Sequence, residues 1–269
     1  MKKIISILAS LSLISAMSIT TYAYDEPTRE ELFGASEEIL STLDNNELER
    51  LEEMYYTHSE NSSELQLNSQ RSNASSVSTE YTLEQSGINL ALSYSYKGAV
   101  WVTRDGETLG YDHGHAALIY TVASWDKSSI EHRGSGSTNP STWLTAYSTV
   151  YNLEGDTYWQ NVHTLKVYDV SNTANGATDH ESMYCAADYA YYNLQGLSYA
   201  PLALKDNVTN VNCATLVYKA YAEQNYGGNS IELGSASSVT VIPKDLVEDE
   251  KLILKMAFQW PGSHTWDLS

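Results

Sequence analysis

The sequence predicts an α+β fold, with an antiparallel sheet packed against helices and a helical segment in front of it. Three features point there. Apolar residues recur at helical spacing near the N-terminus, the chain turns to β-branched runs punctuated by turn residues from about Ile88, and two capped helical stretches lie among and after those runs. No internal repeat is present, and residues 88–269 read as one domain.

In chain order, residues 1–23 read as a secretory signal. Lys2 and Lys3 open it, an apolar run spans Ile4 to about Ile19, and small residues close it at Thr21-Tyr22-Ala23. Ser10, Ser12, Ser15 and Ser18 dilute the run below what a stable membrane span prefers. The expectation is a secreted or cell-wall-associated protein with no membrane span after signal cleavage.

Residues 24–58 form an acidic helical segment. Leu32, Phe33, Ile39, Leu40, Leu43, Leu48, Leu51 and Met54 fall at roughly helical spacing, with Asp44-Asn45-Asn46 a break and N-cap between two helices. Residues 59–87 are a linker, Ser/Asn-rich and poor in anything to bury from about Ser59 to Thr79. Residues 24–90 hold 15 acids and 3 bases, net -12, so most of the acidity is N-terminal. This region reads as a candidate pro-segment or spacer, tethered to the main domain and dispensable for its folding.

Further on, Ala99–Thr103 and Ala116–Ala123 read as strands, Trp125–Ser128 as a turn, and Ile130 as the centre of a short returning strand. Leu165–Val170 is another strand. A helix is predicted from near Asp179 to before Gly196, burying Met183, Ala186, Ala187, Ala190 and Leu194. A second starts at Asn212 and ends before Gly227-Gly228.

Composition limits the function classes. The 269 residues carry 34 acids against 15 bases, formal charge -19, which excludes nucleic-acid binding by counterion release. With 42% apolar residues the chain can bury a real core. The 21 Tyr and 6 Trp against 2 Phe favour half-wet packing and polar grooves.

Chemistry is concentrated in two segments. In Asn212-Cys213-Ala214-Thr215-Leu216-Val217, the thiol falls in the first turn of a helix, on its core-facing stripe, where backbone N–H groups and the helix dipole favour a thiolate. In Gly114-His115-Ala116-Ala117-Leu118, a glycine lets the backbone pack closely and leaves the imidazole at a strand edge. Sixteen residues on, Glu131 and His132 must face opposite sides of the returning strand, so only one can orient His115. Nucleophile, base and orienting group are what a thiol hydrolase needs.

Together these segments resemble the circularly permuted papain-fold hydrolases, the YiiX-like relatives of the NlpC-type cell-wall peptidases. The similarity runs over about residues 95–255. It rests on Gly-His-small-small, Ile130-Glu131, Gly196-Leu197-Ser198-Tyr199, Asn-Cys-x-x-Leu-Val-x-x-Ala-Tyr and Pro243-Lys244-Asp245-Leu246. The resemblance implies a permuted papain-like (NlpC-type) fold and a cysteine hydrolase cleaving amide bonds in cell-wall peptides or related peptide or isopeptide substrates. It also implies Cys213 as nucleophile, His115 as base, Glu131 as orienting group with His132 as the alternative, and Tyr199 on the oxyanion or substrate side. Neither a metal nor a cofactor is implied. Ala214 stands where the family usually has Ser, and Ala200-Pro201-Leu202 replaces a Trp-Gly-Gly at a loop bordering the site.

Other readings compete. The thiol could instead serve acyl hydrolysis or acyl transfer on lipid or thioester substrates. A metal could use His113, His115, His132 and Asp112. A Cys185–Cys213 disulfide would remove the nucleophile, and a catalytically inactive binding module would use the tyrosines as a groove.

Overall fold

The computed structural model describes residues 27–56, 83–105, 107–108, 111–112, 114–134 and 146–259; the stretch read as a signal, residues 57–82 and His113 lie outside the described residues. Helices α1 (Arg29–Phe33), α2 (Glu37–Leu40) and α3 (residues 45–56) come first, followed by α4 (Glu84–Ser93). Then come β1 (Val100–Thr103), the two-residue strands β2 (Glu107–Thr108) and β3 (Tyr111–Asp112), β4 (His115–Ala123), β5 (Asp126–Glu131) and β6 (Thr149–Asn152). The order closes with α5 (Thr157–Gln160), β7 (Thr164–Val170), α6 (His180–Asn193), β8 (Ser198–Tyr199), β9 (Asn210–Val211), α7 (Cys213–Ala222), α8 (Pro243–Glu248) and β10 (Leu252–Gln259).

Six strands form one antiparallel sheet in the order β10-β7-β1-β4-β5-β6. The central strands read as continuous apolar runs because they are covered: Val100, Trp101, Val102, Ala116, Ala117, Leu118 and Ile119 are fully buried. Helices α6 and α7 pack on each other and on β4. As the apolar stripe predicts, Met183, Ala186, Ala187, Ala190 and Leu194 of the first helical stretch all lie in the core, and Asp179 caps it by accepting from the Ser182 N–H at 3.0 Å.

Several boundaries differ from the sequence reading. The main core begins at Leu83, which is 3% exposed and donates its N–H to the Val162 carbonyl at 2.9 Å, so residues 83–87 belong to the domain and not to the linker. The strand after β4 starts at Asp126, because the reversal is completed by Ser124 and Trp125. Strands β6 and β10 carry no strand expectation from the sequence, whereas helix α7, capped by Asn212, ends at Ala222, before the glycines as expected.

The N-terminal helices are not left outside the core. Asp44 does cap α3, its Oδ1 accepting from the Asn46 N–H at 2.9 Å, and the hairpin folds its apolar side inward. Leu32, Phe33, Leu40, Leu48, Leu51 and Tyr55 form one buried cluster with Tyr199, Leu202 and Leu204. Backbone bonds seal the contact: Leu202 N–H to the Leu32 carbonyl at 2.8 Å and Leu204 N–H to the Phe33 carbonyl at 3.4 Å. Gly34, at φ +64°, lies so near Asn210 and Ala200 that a Cβ there would come within 2.7 Å and 2.9 Å of their side chains. The segment read as a tethered appendage is therefore docked on the loop that leads to Cys213. Charge disguised this, since the acids sit on the outward face of the same helices.

Candidate active site

Strand pairing fixes the relation of the two polar residues on β4 and β5. Leu118 stands opposite Ile130, which puts Glu131 opposite Ala117 and on the same face as His115, one diagonal step away. His132 takes the other face. Gly114 is required at the start of β4: its φ is +76°, and a Cβ would come within 2.5 Å of the Thr103 carbonyl oxygen on the neighbouring strand. That close approach sets where His115 begins.

Both side chains are buried, His115 at 4% and Glu131 at 0% exposure. His115 Nε2 meets Glu131 Oε2 at 2.5 Å. The other ring nitrogen is left for the thiol, and the imidazole is indeed hydrogen-bonded to Cys213. Burial alone would drive the imidazole pKa down, but the hydrogen bonds and negative charge of Cys213 and Glu131 outweigh it and hold it up at about 9. Glu131 is also opposed by burial, yet the bonds and charges of His115 and Arg133 push it well below the usual carboxylate range.

Cys213 is the first residue of α7. Asn212 caps the helix, its Oδ1 accepting from the N–H groups of Ala214 at 2.8 Å and Thr215 at 2.7 Å, while Thr215 Oγ1 accepts from the Asn212 N–H at 2.8 Å. Asn212 Nδ2 also donates to the Pro201 carbonyl at 3.0 Å. One side chain thus fixes the thiol's helix turn and ties it to the loop on which the N-terminal hairpin rests. Cys185 has other partners, its Sγ donating to the Tyr226 carbonyl at 3.4 Å, and Cys185 and Cys213 are not joined in a disulfide.

Around the pair the wall is aromatic. Tyr158 meets the His115 ring edge-on at 5.0 Å between centroids, and Trp159 is tilted against it at 5.6 Å. Trp159 Nε1 donates to Glu131 Oε1 at 3.1 Å, and Ser129 Oγ donates to the same oxygen at 2.5 Å. The sequence reading did not single out Ser129, Arg133, Asp156, Tyr158 or Trp159. Spacing offered a clue for two of them, since residues 129, 131 and 133 must share one face of a strand.

Tyr199 is 2% exposed, and its ring lies 4.9 Å from that of His132. His132 Nε2 lies 3.2 Å from the Ala146 carbonyl and its Nδ1 accepts from the Gly134 N–H at 3.0 Å. Burial chiefly, with the nearby His115 charge, lowers its pKa to about 4 against two backbone bonds that raise it. His132 is a neutral packing histidine here, and Glu131 is the residue that holds His115.

Among the described residues no cluster of three or more His, Cys, Asp or Glu is arranged to hold a metal ion. Comparison with protein-family models, with curated proteins and with solved structures returned no match.

Proposed function

We propose that the protein is a cysteine hydrolase that cleaves amide bonds. One observation carries the reading: a buried imidazole bonded on one nitrogen to a buried carboxylate and on its other side to a thiol at a helix start. The raised imidazole pKa supports a thiolate–imidazolium pair near neutral pH. The thiolate attacks the substrate carbonyl, and the resulting oxyanion is met by the Cys213 N–H, since Asn212 already accepts from the Ala214 and Thr215 N–H groups, and, as the family resemblance implies, by the Tyr199 side. As the tetrahedral intermediate collapses, His115 passes its proton to the departing amine and a thioester remains on Cys213. Water, deprotonated by His115, then releases the acid and restores the thiol.

The order of the parts, His115 and Glu131 on successive antiparallel strands and Cys213 on a later helix, is the order expected of a permuted papain-like fold. Within that reading the substrate is a cell-wall stem peptide or a related peptide or isopeptide, met after export. The test is incubation of the mature protein with muropeptides, isopeptides and acyl thioesters, with products read by mass spectrometry. The expected result is a new carboxylate and amine from an amide substrate, absent with Cys213→Ala. Cleavage confined to thioesters would replace amide hydrolysis by acyl-group chemistry, and cleavage that survives Cys213→Ala would remove the nucleophile assignment.

A further inference from the structure

Two residues beyond Glu131, continuing the β4–β5 register places Arg133 opposite His115 on the same face of the sheet. Its guanidinium donates to Glu131 Oε1 at 3.0 Å and grips Asp156 with both terminal nitrogens, at 2.7 Å and 3.2 Å. The fork is 17% exposed and lies over the Tyr151 ring at 3.8 Å and the Tyr158 ring at 5.0 Å. Asp156 does a second job as N-cap of α5, accepting from the N–H groups of Tyr158 and Trp159 at 2.9 Å and 3.2 Å. Five side chains therefore form one line of charge: Asp156, Arg133, Glu131, His115 and Cys213.

The physical need is plain. A carboxylate with no exposure is costly to keep ionised, and a single cationic neighbour that is itself titratable gives a fragile arrangement, because the proton can pass from imidazolium to carboxylate. A permanent cation on the far oxygen removes that outcome, since Arg does not titrate in this range. Oε1 is saturated by Arg133, Ser129 and Trp159, which leaves Oε2 for His115 alone.

We infer that Arg133, tuned by Asp156, is a positioning residue of the site: it keeps Glu131 anionic and aimed at His115, and so sets how readily Cys213 ionises. This deepens the proposed function and rests on that reading. The charged and titratable groups that face the thiol–imidazole pair are Glu131 from β5, Tyr158 from α5 and His132 after β5; behind them stand Arg133 and Asp156 on Glu131, Asp105 near Tyr158, and Tyr199 against His132. Of these, Arg133 is the permanent cation, and Asp156 is the anion that holds it.

The opposite signs of these two residues give a decisive test. The rate of Cys213 alkylation by iodoacetamide is followed against pH in the full mature chain, with Cys185 as internal reference by mass mapping. Arg133→Gln should raise the pH midpoint by about one unit and slow alkylation at pH 6 roughly tenfold. Arg133→Lys should recover part of that shift. Asp156→Asn, which keeps a good N-cap for α5, should move the midpoint downward. A merely structural role would move all the variants the same way or not at all, so a midpoint unchanged in folded Arg133→Gln, or moved in the same direction by Asp156→Asn, overturns the inference. Should Arg133→Gln not fold, Asp156→Asn and Arg133→Lys still decide it. If native Cys213 reacts no faster than Cys185, the hydrolase reading itself has failed, a different outcome from either.

Discussion

At the scale of single residues, the site is defined by which oxygen and which nitrogen are already spoken for. Glu131 spends one oxygen on structure and the other on His115, so Glu131→Gln should reduce turnover by a factor on the order of 10²–10⁴, while the His115→Ala/Glu131→Gln double variant should be little worse than His115→Ala alone. Additive losses in kcat/KM would show the two residues working separately. The two buried histidines also make a pH prediction. His115 is raised from 6.5 to about 9, so the folded state holds its proton more tightly; that contribution is complete below pH 6.5 and is lost as pH climbs to 9. His132 is lowered from 6.5 to about 4, so the unfolded chain takes the proton first and stability falls as pH drops from 6.5 to 4. Glu131, depressed, adds a further loss below about pH 4.5. Thermal melts should peak near pH 6.5; His132→Asn should flatten the acid limb and His115→Gln the alkaline one. A monotonic profile through pH 6.5 would contradict both.

Elements position these residues through a small number of enforced contacts. Gly114 is the tightest, and Gly114→Ala combines a left-handed backbone with an intrusion on Thr103, so a loss of about 1–3 kcal/mol is expected, with alkylation of Cys213 slowed because β4 carries His115 away from the thiol. Denaturant melts and the alkylation rate check the two parts independently. Much of this scale was legible beforehand. The glycine before His115, the alternation that separates Glu131 from His132, and the apolar stripe of α6 all follow from period and backbone sterics alone. What escaped notice did so for physical reasons. β10 is an edge strand with half its residues facing outward and a bulge between Leu254 and Met256, so its pattern is broken. α5 is one turn long, too short for any periodicity, although it carries Trp159 and Tyr158 to the site. Arg133 and Asp156 are distant in sequence, and only the sheet brings the strand end to the helix cap.

For the whole molecule, the decisive contact is between the N-terminal helices and the loop before Cys213, two segments of very different character. An acidic helical hairpin, which charge alone assigns to solvent, contributes seven buried apolar side chains to a cluster completed by Tyr199, Leu202 and Leu204. A chain beginning near Leu83 should therefore melt at least about 10 °C lower than a chain that keeps the hairpin, lose Cys213 reactivity through the Pro201–Asn212 tie, and bind hydrophobic dyes. Equal melting temperatures by calorimetry would mean that the cluster adds nothing.

Because the hairpin is held by packing and by backbone bonds as well as by its peptide connection, a cut in the stretch between residues 57 and 82 would not set it free. The product would be two chains behaving as one, migrating together until a denaturant parts them, and the shorter chain, supplied separately, would restore what its removal had taken away. A nick at that point would then leave the site assembled, its framework written in two pieces that recognise each other.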